Sequence, residues 1–219
     1  NASMPSSEIV QLIAGAAIPI LLAVTPHEVA HGLVARALGD RTAEMMGRLT
    51  LNPLTHVDPG GTVVVPALFL ATTQMLFGWA KPVPIGVRNF QNPRRDMVLV
   101  AVAGPASNIV MALIWALIGK VTLSIGLGGA LGAFVIGMVQ VGIFINVILA
   151  VFNMLPIPPL DGGRVLSGLL PPRASSRLDA IEPYGLVIVL ALLFTGVLWR
   201  VVGPAVQSLG GIMQSLAGF

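Results

Sequence analysis

The chain has 219 residues, of which 55% are apolar and only 10% are charged, and its mean hydropathy is +0.90. Soluble domains contain about 45–50% apolar and about 25% charged residues, so this composition excludes a water-soluble globule. Cysteine is absent, which excludes a disulfide framework, a thiolate metal site and a cysteine nucleophile. The net charge of +3 indicates loop charges at a lipid headgroup surface, and no basic run interleaved with aromatic residues suggests nucleic acid.

The apolar segments, taken in chain order, predict a single all-α membrane domain over residues 1–219, a polytopic helical bundle. Each span needs about 20 apolar residues, so about four full spans fit the chain. Residues 204–219 are expected on the surface or packed on the bundle, and residues 1–7 are given no role in the fold. The full spans are predicted at 9–39, 97–119, 129–155 and 184–202, with a further apolar segment at 62–79 and a short helix at about 161–170.

The strongest chemical signal lies in the first predicted span, as His27-Glu28-Val29-Ala30-His31. Residues i and i+4 share one face of a helix, so both imidazoles can bind one metal ion. Glu28 lies beside the first histidine, where it can take a proton from an attacking water. The alternative is a pair of histidines that hydrogen-bond between helices beside a neutral glutamic acid, although burying such groups without partners is costly.

Two histidines leave a catalytic zinc ion one protein ligand short, because such sites use three ligands and keep one position open. Asp161 differs from the other carboxylates, since it directly follows the 129–155 span in the segment Asn153 to Gly163. The prolines of that segment break the helix, and irregular backbone at membrane depth is tolerated only where it is buried in protein or lines a watery cavity. The alternative for Asp161 is a plain helix cap before Gly162 and Gly163.

These two motifs, each attached to a predicted span and in this order, resemble the site-2 protease family of intramembrane zinc metalloproteases. The resemblance covers about residues 9–170 and is closest to minimal bacterial or archaeal members that lack a PDZ domain. Two further segments, 78–84 and 104–108, also resemble family elements.

The resemblance implies a function and a set of site residues. It implies that His27, His31 and Asp161 bind one Zn²⁺ ion and that Glu28 is the general base. It also implies that Asn153 lies near the metal, where its amide could stabilise an oxyanion. The implied activity is cleavage of peptide bonds within or near transmembrane segments of membrane proteins, as in regulated intramembrane proteolysis. Residues 9–170 would then form the catalytic core and residues 171–219 the C-terminal helices.

The number of membrane crossings between the two motifs predicts the topology. If 62–79 crosses the membrane, the 9–39 and 129–155 segments are antiparallel, and Asp161 lies near the opposite face from the histidines. If 62–79 enters and leaves by one face, the two segments are parallel and the three side chains converge. Because metal bonds are about 2 Å long, a re-entrant or half-buried 62–79 is predicted.

The basic residues favour the same topology. The re-entrant arrangement divides the 12 Lys and Arg residues ten to two, whereas a crossing at 62–79 divides them seven to five. The positive-inside rule favours the uneven division, which puts the metal site nearer the cytoplasmic face of a prokaryotic cell membrane. The two residues on the far side would be Lys120 and Arg200, and the ten are Arg36, Arg41, Arg48, Lys81, Arg88, Arg94, Arg95, Arg164, Arg173 and Arg177.

A substrate helix must unwind before cleavage, and its freed backbone groups need new partners in the bilayer. An exposed strand edge could supply them by β-augmentation, and a small β-element near the active site is expected at Val83 to Val87, with Glu44 to Leu51 as the other candidate. The alternative for Pro82-Val83-Pro84 is a rigid connector.

The roles of two further polar residues, and one competing function, stay open. His56 is interpreted as part of a turn in preference to a hydrogen-bond partner of a zinc ligand, and Asn108 as an interhelical hydrogen bond or a contact near the site. The competing function is a metal-binding transporter or channel that uses the His pair and Asp161. A Glu28→Gln variant separates the two functions, because only a protease requires Glu28. Substrate identity and oligomeric state are not indicated by the sequence.

Overall fold

The protein is a bundle of α-helices in a computed structural model, which describes residues 6–56, 58–64 and 81–219. The helices are α1 Ser6–Ala37, α2 Thr42–Met45, α3 Pro93–Ser124, α4 Gly129–Asn153, α5 Asp161–Leu169, α6 Pro172–Asp179, α7 Gly185–Phe194 and α8 Val197–Ala217. Shorter helical turns lie at Pro53–His56, Pro59–Val64, Val87–Asn89 and Glu182–Tyr184.

Three of these helices are long and apolar enough to cross a membrane, at Gly15–Ala37, Pro93–Ser124 and Gly129–Asn153. A fourth span is present if Pro172–Phe194, which contains α6 and α7, and Val197–Ala217, which is α8, are counted as one bent span. The outward faces of the long helices carry large apolar side chains; Leu117 of α3 is 61% exposed and Phe144 of α4 is 53% exposed. Such broad apolar exposure is typical of a surface that contacts lipid.

Contacts between the long helices fix their relative directions. His27 meets Asn108 and His31 meets Val100, so α1 and α3 are antiparallel. Asn108 meets Asn146, and Trp115 lies against Gly142, so α3 and α4 are antiparallel as well. It follows that α1 and α4 are parallel, as the sequence argument requires. The connection from α1 to α3 therefore begins and ends at the same end of the bundle. Residues 65–80 lie outside the described part of the chain, so the re-entrant segment stays a prediction.

The C-terminal part differs from the sequence prediction of one span at 184–202. The chain breaks between α7 and α8, with a bend of 80°. Gly196, at the break, has φ +72°, a left-handed conformation that glycine adopts without steric cost. The long helix is α8, and its buried residues Val202, Val206 and Met213 join the core formed by α3 and α4. Residues 204–217 are therefore packed on the bundle, which was one of the two expectations.

The direction of α8 follows from its contacts with α4. A Cβ added at Gly119 would approach both Val139 of α4 and Ala217 of α8. A groove farther along is lined by 143–147 of α4 and 206–214 of α8. The two helices are therefore antiparallel, and α8 begins at the end of the bundle where α4 ends.

The small β-element predicted near the active site is wrong for the residues that the structure describes, none of which is in a strand. Residues 81–86 form irregular chain, and Val87–Asn89 is a helical turn. The backbone chemistry explains the difference, because Pro82 and Pro84 have no N–H group and carboxylates accept the N–H groups of Val83 and Gly86. The other candidate, 44–51, contains the end of α2 followed by a turn and irregular chain.

Candidate metal centre

Three side chains from two distant stretches of the chain converge at one end of the bundle. His27 and His31 extend from α1, and Asp161 is the first residue of α5. The Nε2 atoms of the two histidines are 3.1 Å apart. Oδ2 of Asp161 lies 3.3 Å from Nε2 of His27 and 3.4 Å from Nε2 of His31. All three residues are buried, with exposures of 5–7%. The predicted convergence of these three residues is therefore confirmed.

The spacing of these atoms fits a tetrahedral metal ion. Zinc bonds to nitrogen and oxygen are about 2.0–2.2 Å long, and ligands on a tetrahedron of that size are about 3.3–3.6 Å apart. The three observed separations of 3.1–3.4 Å lie at or just below this range. Among the described residues, this is the group of His and acidic side chains whose ligand atoms could hold a metal ion.

Hydrogen bonds on the far side of each ring determine which nitrogen carries the proton. Nδ1 of His31 lies 2.7 Å from the carbonyl oxygen of Val100, which can only accept. Nδ1 of His27 lies 2.6 Å from Oδ1 of Asn108, and Nδ2 of Asn108 donates to Oδ1 of Asn146. This network assigns a proton to Nδ1 in both rings, so in the neutral form of each ring Nε2 carries the lone pair.

The arrangement of these atoms therefore favours binding of a cation. When both rings are neutral, as metal binding requires, two lone pairs and a carboxylate oxygen face one another in a buried space. Oδ2 of Asp161 has no hydrogen-bond partner among the described residues. A buried, unpartnered carboxylate oxygen is costly, and a divalent ion at the centre would remove both that cost and the repulsion. The residues present thus fit a zinc ion.

Small residues allow the cluster to form at all. A Cβ added at Gly104 of α3 would lie 2.4 Å from Nε2 of His31 and 2.6 Å from that of His27. A Cβ at Gly162 would lie 2.3 Å from the carbonyl oxygen of Met154. The glycines after Asp161 therefore let α5 begin directly against the end of α4, which turns the carboxylate back toward the histidines.

Glu28 lies beside the cluster, and its carboxylate already accepts one hydrogen bond. Oε2 of Glu28 accepts the backbone N–H of Val83 at 2.9 Å. Both residues line a cavity of about 130 Å³ that also reaches the three candidate ligands. The cavity is lined by His27, Glu28, His31, Pro82, Val83, Ile85, Asn153, Pro159, Leu160, Asp161 and Arg164. The sequence prediction that Glu28 lies at the metal site is consistent with this placement.

Asn153 and His56 have more ordinary surroundings. Asn153 lines the cavity, but its Nδ2 donates to the carbonyl oxygen of Leu149 one turn earlier, 3.0 Å away. Its role as an oxyanion donor stays a prediction. His56 is 2% exposed, and its Nε2 lies 3.0 Å from the carbonyl oxygen of Thr50. Its own carbonyl accepts the N–H of Lys81. These contacts favour the turn role of His56 over contact with a zinc ligand.

Asn146 and Arg164 were missed by the sequence reasoning. Asn146 is fully buried and extends the hydrogen-bond network of Asn108 into α4, and Arg164 lines the cavity. An amide in the middle of an apolar helix was an available signal for Asn146, and a position one turn after Asp161 was an available signal for Arg164. For Asn108, the structure combines the two roles left open, because it forms an interhelical bond and also contacts a candidate ligand.

Comparisons with known proteins agree with this geometry. A sequence profile of peptidase family M50 matches residues 119–196. The chain is 38% identical over 199 residues to the protein named "Putative zinc metalloprotease YwhC" of Bacillus subtilis, which covers 88% of this chain and 87% of that protein. It is 33% identical over 188 residues to the similarly named Rip2 of Mycolicibacterium smegmatis, covering 82% of this chain and 66% of that protein. No solved structure matches.

Proposed function

Since the chain belongs to peptidase family M50, the site-2 protease family, we propose that this metalloprotease cleaves peptide bonds within or near transmembrane segments of membrane-protein substrates. The enzyme is a zinc metalloprotease, a hydrolase, and an integral membrane protein with several helices long enough to span a bilayer. The observation that carries the proposal is the location of the three converging side chains, beside Glu28 and within helices with apolar, outward-facing surfaces. The competing function of ion conduction has no comparable support, because conduction requires no general base.

The proposed mechanism assigns each side chain a distinct task. His27, His31 and Asp161 would hold the zinc ion, which when bound supplies a Lewis acid that activates water and polarises the scissile carbonyl. Glu28 takes the proton of the attacking water and passes it to the leaving amine. Asn153 lines the same cavity, and its second amide hydrogen is the one we assign to the developing oxyanion.

The proposed substrate path runs along residues 83–87. Residues 83–86 are irregular chain and a helical turn begins at Val87, so pairing at this segment would form only when the substrate binds. A substrate strand paired at this segment lies next to Glu28, because the Val83 N–H already contacts that carboxylate. Pairing by β-augmentation would take over the Val83 N–H and free the Glu28 carboxylate for proton transfer.

The proposed setting is a prokaryotic cell membrane, with the metal centre nearer the cytoplasmic face. Basic side chains at the metal-centre end of the bundle support this orientation through the positive-inside rule. Among them, Arg94 and Arg95 lie in the first turn of α3, and Arg164 lines the metal cavity.

The test is a cleavage assay on a transmembrane substrate in detergent or liposomes, with purified enzyme. We expect wild-type protein to cleave, chelator to abolish cleavage, zinc to restore it, and Glu28→Gln to be inactive while it still binds zinc. Glu44→Gln is the matched control, because Glu44 forms exposed ion pairs with Arg36 and Arg41 away from the cavity. Equal cleavage by wild-type, chelated and Glu28→Gln protein would falsify the proposal.

A further inference from the structure

Arg164 is a positive charge at the metal cavity that the mechanism above does not use. It lies on α5 three residues after Asp161, so the two residues are on neighbouring positions of the same helical face. Arg164 is half-buried and lines the same cavity as His27, Glu28 and Asp161. Within residues 6–56, 58–64 and 81–219, its guanidinium has neither an ion pair nor a hydrogen bond to a side chain.

Arg164 adds one positive charge to a cavity whose other charges cancel. Asp161 and Glu28 each carry one negative charge, the two histidines are neutral when they bind metal, and a zinc ion contributes two positive charges. These sum to zero, so Arg164 leaves an excess of one positive charge in the loaded site. An unpaired ionisable group near membrane depth is costly and usually marks function.

Peptide hydrolysis transfers a negative charge from Glu28 to the substrate oxygen and leaves the net charge of the site unchanged. Attack by water forms a C–O bond at the scissile carbonyl, moves one proton to Glu28 and puts one negative charge on the former carbonyl oxygen. Collapse then breaks the C–N bond and returns the proton to the leaving amine. Arg164, Glu28 and the three candidate ligands line one cavity of about 130 Å³, where the scissile peptide unit would bind.

We propose that Arg164 is a catalytic residue that donates hydrogen bonds to the substrate oxyanion as it forms. This assignment rests on the proposed function and deepens it by naming a charged oxyanion donor beside the zinc ion and Asn153. Because one amide hydrogen of Asn153 is already bonded to Leu149, Arg164 supplies further donors to the oxyanion. Its N–H donors also carry a full positive charge, which strengthens hydrogen bonds to an anion.

The test measures binding of two uncleavable analogues of one leucine-rich peptide to the zinc-loaded protein. One carries a phosphinic group at the scissile position, which is a tetrahedral anion, and the other carries an uncharged carbinol. For Arg164→Gln we expect about 100-fold weaker binding of the phosphinic peptide, the scale of loss of one oxyanion donor, and less than threefold change for the carbinol. Arg173→Gln, in which an exposed arginine of α6 is replaced, should bind both analogues as wild type does.

Each outcome decides the assignment. Unchanged phosphinic binding by Arg164→Gln, with normal zinc content, overturns it, and so does an equal loss for both analogues. If Arg164→Gln does not fold, Arg164→Lys replaces it; we expect about tenfold weaker phosphinic binding, and wild-type binding contradicts the proposal. Because binding needs no turnover, a wild-type protein that binds the analogues but cleaves no transmembrane substrate counts against the proposed function and leaves the Arg164 result intact.

Discussion

Replacing Asn108 by alanine should weaken zinc binding without removing any zinc ligand. Asn108 is fully buried and accepts the Nδ1 proton of His27 at 2.6 Å. Its amide nitrogen donates to Asn146 and to the carbonyl oxygen of Ala23, so the side chain links α1, α3 and α4. Without it, the His27 ring loses the bond that sets its tautomer and orientation. Asn108 is therefore a positioning residue for the metal centre.

The size of the effect follows from comparable hydrogen bonds in other metal sites. Loss of a partner that orients a metal-binding histidine typically costs 10- to 100-fold in metal affinity, or about 1.4–2.7 kcal/mol. Asn108→Ala also leaves the Asn146 carbonyl unpaired, which costs about 1–3 kcal/mol of stability. The stability loss needs its own control, because a destabilised protein can also lose metal.

Asn146→Ala is that control. It removes a buried amide from the same network but leaves the His27 bond to Asn108 and the Asn108 bond to Ala23 in place. We expect both variants to be destabilised, while only Asn108→Ala shows the 10- to 100-fold loss in a competition titration against a zinc chelator. Equal zinc affinity for the two variants, or wild-type affinity for Asn108→Ala, would refute the reasoning.

Three further substitutions test other parts of the structure. Gly104→Ala should abolish zinc binding, measured as bound metal per protein, because its Cβ would overlap both Nε2 atoms, whereas Gly137→Ala should bind zinc normally, since its Cβ meets nothing within 4 Å. Asp40→Asn should lower the free energy of unfolding at pH 7 by about 2–3 kcal/mol, because the fully buried carboxylate accepts hydrogen bonds from both sides of the connection before α3. Burial raises the pKa of Asp40, but hydrogen bonds from Thr42, Asn89 and Gly86 lower it more, so its pKa lies below the usual value. The stabilisation is therefore full above about pH 4 and is lost as the pH falls through the depressed pKa. The denaturation curves of wild-type and Asp40→Asn protein should converge at that low pH. Gly142→Ala should lower the thermal midpoint without changing zinc affinity, because its Cβ would lie 2.4 Å from the buried Trp115 ring.

The three candidate metal ligands could be predicted from the sequence because local geometry determines most of the site. His27 and His31 share a helical face whatever the helix packs against. Asp161 was identified because a run of prolines and glycines follows an apolar span, and the structure uses those glycines for close contact with α4. The parallel arrangement of α1 and α4 was then required, since otherwise the three side chains could not meet.

The hydrogen bonds behind the ligands depend on register and could not be predicted. That Asn108 reaches His27 and Asn146 is fixed only by how α3 lies between α1 and α4. The β-element failed for a similar reason, because carboxylates far along the chain, Glu28 and Asp40, accept the backbone N–H groups that a strand would offer. The break before α8 was hidden because hydropathy is continuous through Gly196.

The position of α8 bears on which end of the bundle faces the cytoplasm. From the sequence alone, Arg200 is predicted to lie with Lys120 on the far side of the membrane. Because α8 runs antiparallel to α4, its first turn, which holds Arg200, lies at the metal-centre end of the bundle. Eleven of the 12 basic residues then belong to that end, ten by the earlier division plus Arg200, and Lys120 belongs to the other. Counted over short connections, a bias of this size is what the positive-inside rule associates with a cytoplasmic face. The position of Arg200 in the structure therefore supports the proposed orientation, with the metal centre nearer the cytoplasmic face.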